Sequence, residues 1–279
     1  MRRRDPGQNS QRAVKEEPRK DYGAGLLNHD LPLEVRRLRA LEDFADPATI
    51  NVLSGCGVLS GRRCLEVGGG AGSIARWLAC RCAPGEAVVT ELNTDLLPHD
   101  VPNLTVLHHD VTKDSFPDSS FHLIHARAVL EHLPNREQIV ARMASWLTPD
   151  GWLCVDAITI IGASVNAPAA YRRCLDALST LVVDQMGVDL RWAADLPRHL
   201  AREGLQNIRT SERFGYVGRD GNADSFFRLT LNQTAPALLH LGLVQEHDII
   251  DCIDFLNNTH YTQTRTHPAC ALTSARGQC

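Results

Sequence analysis

The residues best suited to chemistry lie between positions 63 and 78, where a short apolar run ends at an acid and glycines follow. Glu66 precedes Gly68, Gly70 and Gly72, and an apolar spacing typical of a helix comes next. Glycine has no Cβ, so a ligand can approach the main chain closely there. The first N–H groups of the following helix point towards the same place. The pattern predicts a strand, a tight turn and a helix that together bind a nucleoside-containing cofactor.

Two cofactors are compatible with this turn. Gly70 to Ala75 fits the dinucleotide pattern G-x-G-x-x-A, and Glu91 lies about 20 residues on, where an acid would bind a ribose. That interpretation favours NAD. The other interpretation starts from Glu66, an acid two positions ahead of three alternating glycines. The turn alone leaves both open.

The elements around the turn alternate between strand and helix. The predicted strands are residues 63–67, 87–90, 104–107, 121–125 and 152–158, with helices at 72–80 and 135–147 and a turn at 148–151. This alternation predicts an open, mainly parallel α/β sheet with helices on both faces. Ligands of such sheets bind beyond the carboxyl ends of the strands. Acids stand at or near four of these ends: Glu66, Glu91, Asp110 and Asp156.

Several segments together carry a family resemblance. They are the acid and glycines from Glu66, then Thr90–Asn93, His109–Val111, and Phe121–Pro134 followed by Leu147–Trp152. On these segments, over about residues 30–160, the chain resembles the class I S-adenosylmethionine-dependent methyltransferases. NAD-binding folds have no reason to carry the last pair of segments. Less specifically, the C-terminal part resembles bacterial small-molecule, secondary-metabolite methyltransferases with a helical cap.

The resemblance implies a fold, a cofactor and a set of binding residues. The fold is a Rossmann-like, doubly wound, mainly parallel seven-stranded sheet whose last strand is antiparallel, with a helical N-terminal segment and a helical cap. The cofactor is S-adenosyl-L-methionine, with S-adenosylhomocysteine as the product. The implied cofactor-binding residues are Glu66, Gly68, Gly69, Gly70, Gly72, Glu91, Leu92, Asp110, Val111, Ala126 and Arg127.

Roles for these residues follow from the resemblance. Glu91 replaces the aspartate usual in the family and still offers two oxygens to the ribose hydroxyls. Asp110 would accept from the adenine amino group while the Val111 N–H serves a ring nitrogen. Glu66 would hold the methionine amino group, directly or through water, or would instead be a structural acid that bonds turn amides. Arg127 lies on the sulfonium side.

Methyl transfer mainly requires that donor and acceptor be aligned and that water be excluded. A general base helps when the acceptor carries a proton. The candidate catalytic residues are His132 and Arg127, with His125 and Asp156 as further candidate bases. Three of these residues have structural alternatives: His132 could be structural, His125 could be buried in its strand, and Arg127 could pair with Glu131 one turn on.

The chain divides into four predicted regions. Residues 1–20 are predicted to be a disordered tail, and residues 21–60 a helical lid with one helix over 31–44 and a second over 48–53. Tyr22 and residues 26–29 are candidates to fold over the cofactor. Residues 61–161 form the cofactor-binding core.

Residues 162–279 are predicted to supply cap helices and complete the sheet. The predicted elements are helices over 167–186, 196–203, 225–241 and 245–256, and strands over 207–216 and 269–274. Four aromatic residues could line an acceptor pocket or pack in the core: Tyr171, Trp192, Phe226 and Phe227.

The composition of the sequence argues against several classes of binding partner. The formal net charge of -4 and the lack of a basic stripe argue against nucleic acid, and no apolar run reaches the roughly 20 residues of a membrane span. Arg2, Arg3 and Arg4 are followed by no apolar region, so we expect no signal peptide and a cytoplasmic location. The nine cysteines include no CxxC pair, so no metal site is expected. A homodimer is one candidate assembly.

The sequence therefore predicts methyl transfer to an O, N or C atom of a small organic acceptor, a bacterial natural-product intermediate. Two alternatives stay open. A methyltransferase fold can use its cofactor for a non-methylating reaction such as cyclisation or elimination, or it can methylate a macromolecule.

Overall fold

The strands of the protein form one mixed sheet. The computed structural model describes residues 25–27, 30–57, 59–189, 191–218, 221–257 and 266–279. The strands within these ranges are β1 Arg63–Val67, β2 Glu86–Glu91, β3 Leu104–His108, β4 Phe121–Arg127, β5 Leu147–Ile160, β6 Gln206–Gly218 and β7 Thr266–Gln278. These seven described strands lie in the order β3-β2-β1-β4-β5-β7-β6. Neighbours from β3 to β5 are parallel, whereas β7 runs antiparallel to both β5 and β6.

Helices cover both faces of this sheet. They are α1 Glu34–Ser54, α2 Ser73–Cys82, α3 Arg136–Ser145, α4 Ala169–Met186, α5 Trp192–Arg202, α6 Asp224–His240 and α7 Glu246–Asn257, and 3-10 turns occur at Thr94–Leu96 and Leu130–His132. Successive strand residues point to opposite faces. Leu65 packs with Ile139 and Leu196 of α3 and α5, while its neighbour Cys64 packs with Leu78 of α2. The predicted Rossmann-like, doubly wound fold with an antiparallel last strand is confirmed.

The cap forms its own apolar cluster. Leu175 and Leu178 of α4 pack with Phe227 of α6 and with Cys252 and Leu256 of α7. This cluster lies on the chain after β5, where the sequence predicted cap helices. Side chains of α4 and α6 also line a cavity together with residues at the carboxyl ends of the central strands.

The structure corrects two predictions of local structure. The sequence predicted two helices before and after Pro47, but α1 is one helix that contains this proline. A proline removes one helical hydrogen bond. Buried side chains on both sides of it, Phe44, Thr49 and Leu53, hold the helix together.

The second correction concerns residues 148–151, which were predicted as a turn. They lie within β5 and bulge out of its pairing with β4. The register passes from Phe121 opposite Leu147 to Leu123 opposite Trp152, and Asp150 has a φ of 65°. A bulge accommodates extra residues without ending the strand.

The predicted disordered tail and Tyr22 lie outside the described residues, as do positions 28 and 29 of the proposed lid segment. Within the described ranges, none of the helices combines the length and the apolar character that crossing a membrane requires.

Candidate active site

A cavity of about 230 Å³ lies at the carboxyl ends of β1, β2 and β4. In the sheet, β1 stands between β2 on one side and β4 on the other, so this is the point at which the strand order reverses. Doubly wound sheets bind ligands at such a point. Side chains of α1, α4 and α6 close the cavity from above. The cavity therefore joins the predicted cofactor site to the cap.

The glycine turn forms one wall of this cavity. Gly68, Gly70 and Gly72 have φ values of 71°, 56° and 89°, a region that side chains other than glycine rarely adopt. A Cβ on Gly68 would collide with Val129, whereas a Cβ on Gly70 would meet only Leu38 Cδ2, at 3.6 Å. The main chain at Gly70 is thus open to the cavity, as the sequence predicted.

The start of α2 is arranged differently from the sequence prediction. Gly72 is the N-cap residue and does not line the cavity. The Ser73 N–H donates to Glu42 Oε1 of α1 at 3.0 Å. Burial raises the pKa of Glu42. This first helical N–H group therefore binds a side chain of α1 and is not free for a ligand.

Glu91 ends β2 beside the glycine turn. Its Oε2 accepts the Gly70 N–H at 3.1 Å, and its Oε1 accepts the Leu92 N–H at 2.9 Å. Glu91 and Leu92 line the cavity together with Glu66, Gly68 and Gly69. A carboxylate has about four acceptor positions, so two remain for hydroxyl donors.

Asp110 follows β3 and lines the cavity with Val111. Its Oδ1 accepts the Thr112 N–H at 2.9 Å, and its Oδ2 pairs with Lys113 Nζ at 2.8 Å. Although burial opposes the shift, the hydrogen bonds from Lys113 and Thr112 lower the pKa of Asp110 to about 2. Asp110 is therefore an ionised acceptor at neutral pH. Its neighbour His109, which the sequence did not mark as a binding residue, also lines the cavity and stacks on Phe116 at 4.7 Å between ring centroids.

Beneath the glycine turn runs a buried chain of charged side chains. Glu66 Oε2 contacts His125 Nδ1 at 2.6 Å, and His125 Nε2 lies 3.4 Å from Asp156 Oδ2. The Thr49 hydroxyl of α1 donates to the same Asp156 carboxylate. Although burial opposes the shift, the charge of Glu66 and the hydrogen bond with Asp156 raise the pKa of His125 to about 9. Neither His125 nor Asp156 lines the cavity.

These buried contacts change the roles expected for Glu66, His125 and Asp156. His125 and Asp156 are not placed to take a proton from an acceptor in the cavity. Glu66 reaches the cavity, but it is nearly fully buried and is bonded to His125. Of the two roles considered for Glu66, its contacts favour a structural acid under the turn.

Arg127 does not form the ion pair with Glu131 that the sequence allowed. Its Nη1 donates to Asp46 Oδ1 of α1 at 2.8 Å and to Thr49 Oγ1 at 3.2 Å. The side chain at the end of β4 extends towards α1, so it joins α1 to the sheet while it lines the cavity. Ala126, the residue before it, is buried in β4 and does not line the cavity.

The 3-10 turn Leu130–His132 places two titratable side chains on the cavity wall. Burial, with the positive charges of Arg37 and Arg136 adding to it, lowers the pKa of His132 to about 4. His132 is therefore neutral and a weak base at neutral pH. Burial raises the pKa of Glu131 to about 7. Sequence reasoning considered Glu131 only as a partner of Arg127; its position between the apolar Leu130 and Leu133 was the available signal for burial.

The opposite wall of the cavity is apolar. Its members come from α4, α6 and the end of β5: Leu175, Leu178, Val182, Met186, Phe226, Phe227, Ile158 and Ile160. Phe226 and Phe227 thus line the pocket, as one of the two interpretations held. Tyr171 and Trp192 do not. The Tyr171 hydroxyl donates to the Pro268 carbonyl at 2.7 Å, and Trp192 stacks on His199 in the core.

The residues present fit an S-adenosylmethionine molecule. The open backbone at Gly70 leaves room for a ligand, and Glu91 and Asp110 supply acidic acceptors at the ends of two adjacent strands. Such acceptors match a ribose diol and an exocyclic amino group. In its fold and in the position of these groups, the protein is similar to the class I S-adenosylmethionine-dependent methyltransferases.

Comparison with known proteins agrees with this class. Residues 65–155 match the family model described as "Methyltransferase domain". Methyltransferase str3 of Strobilurus tenacellus is 32% identical over 104 residues, which is 37% of each chain. The ubiquinone/menaquinone biosynthesis C-methyltransferase UbiE of Laribacter hongkongensis is 32% identical over 111 residues, 37% of this chain and 46% of that protein. The chain thus matches less than half the length of these two relatives.

Solved structures share the fold. Phosphoethanolamine N-methyltransferase 2 of Haemonchus contortus, in complex with S-adenosyl-L-methionine, has a TM-score of 0.53 at 14% identity, over 86% of this chain and 56% of that one. The YcgJ protein of Bacillus subtilis has a TM-score of 0.54 at 14% identity, over 83% of this chain and 98% of that one. These likenesses confirm the predicted fold.

Proposed function

We propose that this protein transfers the methyl group of S-adenosylmethionine to a small, largely apolar acceptor. The observation that carries the proposal is that the glycine turn, two strand-end acids and an apolar wall from the cap line one and the same cavity. One ligand with a polar nucleoside and a second, apolar ligand would meet in that cavity. The names of two relatives support the proposal, since both are methyltransferases and UbiE is named for ubiquinone/menaquinone biosynthesis.

The cofactor would lie along the polar wall. Glu91 would accept hydrogen bonds from the ribose hydroxyls, Asp110 would accept from the adenine amino group, and the Val111 N–H would serve a ring nitrogen. The open backbone of the glycine turn would admit the methionine part. When bound, S-adenosylmethionine supplies an electrophilic methyl group on a good leaving group. The chain's own contribution is to align the acceptor and to exclude water with the cap.

The proposal also covers the identity of the acceptor, the cellular location and the oligomeric state. We propose a bacterial natural-product intermediate as the acceptor. An apolar wall would suit a small apolar molecule of this kind, whereas it would bind a nucleic acid or a charged lipid surface poorly. We further propose that the protein acts in the cytoplasm as a homodimer. Sedimentation velocity of the full chain tests the assembly, and cell fractionation tests the location.

Calorimetric titration of the full chain with S-adenosylmethionine and S-adenosylhomocysteine tests the proposal first. We expect both to bind at one site. An assay for S-adenosylhomocysteine release with small apolar acceptors then tests the transfer itself. A product formed without release would indicate the cyclisation or elimination alternative, and labelling of RNA or protein in place of small molecules would indicate a macromolecular acceptor. The absence of any binding of either cofactor form would refute the proposal.

A further inference from the structure

Glu131 differs from the other acids of the cavity wall in having an oxygen that is not bonded. Five described carboxyl groups line the cavity: Glu42, Glu66, Glu91, Asp110 and Glu131. Among the described residues, Glu131 is the one of these five with a buried oxygen, Oε2, that has no hydrogen-bond partner. Its other oxygen, Oε1, accepts the Ile158 N–H of β5 at 2.9 Å. A buried polar atom left without a partner is costly unless a ligand supplies one.

The position of Glu131 suits a role in the reaction. The residue is 3% exposed and lies in the turn between β4 and α3. It lines the cavity next to His132, and its bond to the main chain of Ile158 joins it to the apolar wall, so we call this place the junction of the two walls. The bond from Ile158 fixes the carboxyl group, and Ile158 is itself part of the apolar wall. Oε2 is covered in the structure, and a proton-bearing atom of an acceptor bound at this junction would supply the hydrogen-bond partner that Oε2 lacks.

We propose that Glu131 is the general base of this enzyme, and that the acceptor is an apolar molecule whose reacting atom carries a proton, such as a phenol or an enol. The inference rests on the function proposed above. The acceptor atom forms a bond to the methyl carbon as the carbon–sulfur bond breaks and leaves its electron pair on sulfur. The acceptor proton passes to Glu131 Oε2. The resulting carboxylic acid returns its proton to solvent when the products leave.

Protonation behaviour supports this assignment. A base works best when its pKa lies near the working pH, and burial raises the pKa of Glu131 to about 7. Two charged groups on neighbouring elements act on it, Arg136 of α3 and Asp156 of β5, with opposite effects. His132 next to it and Arg37 of α1 complete the charged surroundings, and His132 is too weak a base to compete.

The test begins with wild-type protein that binds S-adenosylmethionine by calorimetry. It is assayed for S-adenosylhomocysteine release with simple phenols, hydroxyquinones, primary amines and their fully methylated analogues. We expect turnover with the phenols or hydroxyquinones and none with the fully methylated compounds. Since the carboxylate is the active form, kcat/KM should rise with pH through about 7.

Two variants separate a proton acceptor from a structural acid. Glu131→Gln keeps the size and the bond to Ile158, so cofactor affinity should stay within about twofold while kcat falls about 10²- to 10⁴-fold and the rise near pH 7 disappears. Glu131→Asp retains a carboxylate and should recover part of the rate. Glu203→Gln, an exposed acid beyond α5, is the matched control and should leave the rate unchanged.

The results that would refute the role of Glu131 differ from the result that would refute the methyltransferase proposal. A Glu131→Gln protein with wild-type kcat, a flat wild-type pH profile between about pH 5.5 and 8.5, or cofactor binding with turnover only of acceptors that have no proton to lose would each overturn the role of Glu131. Each leaves the methyltransferase proposal standing. A wild-type protein that binds no cofactor would instead overturn both.

Discussion

The two walls of the cavity are built by different physical means. The polar wall consists of main chain and carboxylates at the ends of β1, β2 and β3, held by hydrogen bonds such as those from Gly70 and Leu92 to Glu91. The apolar wall includes side chains such as Leu175, Leu178 and Phe227 that are held by packing within the cap. Hydrogen bonds select the donor and acceptor pattern of a ligand, whereas packing selects its shape and volume.

This difference assigns separate tasks to the two walls. The polar wall suits a cofactor that is always the same molecule. The apolar wall can change its shape through single side chains without altering the cofactor site. We therefore expect substitutions in the two walls to separate cofactor affinity from acceptor affinity.

The largest effect is expected beneath the polar wall. His125→Leu leaves Glu66 and Asp156 as buried carboxylates without their shared partner, and loss of one member of a buried ionic group costs about 3–5 kcal/mol. Chemical denaturation of the full chain should show this loss. The matched control is His122→Leu on the same strand. His122 is half-buried and accepts one N–H at 3.3 Å, so its loss should cost about 1 kcal/mol or less.

The buried Glu66–His125–Asp156 cluster also predicts that the stability of the protein depends on pH. The pKa of His125 is raised from an ordinary value of 6.5 to about 9 in the folded protein. Its contribution is therefore complete below pH 6.5 and is lost as the pH rises towards about 9. The free energy of unfolding of the wild type should fall over this window, and the fall should be absent in His125→Leu. An equal fall in both proteins would show that other groups cause it.

The next effect concerns the polar wall itself. Glu91→Ala removes the proposed acceptors of two ribose hydroxyls, and hydrogen bonds to a charged group contribute about 1.5–3 kcal/mol each. Affinity for S-adenosylmethionine measured by calorimetry should fall about 100-fold or more. Glu86→Ala, at the other end of β2, is the control and should bind normally, since Glu86 pairs with Arg63 near the surface. A Glu91→Ala protein of wild-type affinity would rule out this ribose contact.

The smallest effect is expected from the apolar wall. Val182→Phe places a larger side chain in the cavity, so the KM for an apolar acceptor should rise about tenfold, with cofactor affinity within about twofold. Val183→Phe is the matched control, because this neighbour on α4 is exposed and does not line the cavity. Equal KM values for the two variants, or a loss of cofactor affinity in Val182→Phe, would break the distinction between the walls.

The polar wall could be predicted from the sequence because its parts are local. Each acid stands at or just after the end of its own strand, since Glu91 ends β2 and Asp110 lies two residues after β3, and parallel strands bring such ends together. The open backbone at Gly70 likewise depends on a few consecutive residues.

Other features depend on contacts between distant residues, which no local pattern encodes. Arg127 meets Asp46, 81 residues away, and Thr49 meets Asp156, 107 residues away. Glu131 and His132 are likewise influenced by distant residues, since Glu131 is bonded to Ile158 of β5 and the charge of Arg37 of α1 acts on His132. For the same reason, the sequence could not show which of the cap aromatics line the cavity.

A crystal structure of the full chain with S-adenosylhomocysteine tests the central claim most directly. We predict that both ribose hydroxyls lie within about 3.2 Å of the Glu91 carboxylate oxygens. The sulfur atom should face the junction at Glu131, with the apolar wall beyond it. A complex with the nucleoside away from the glycine turn, or with the sulfur turned towards solvent and away from the cap, would contradict this account.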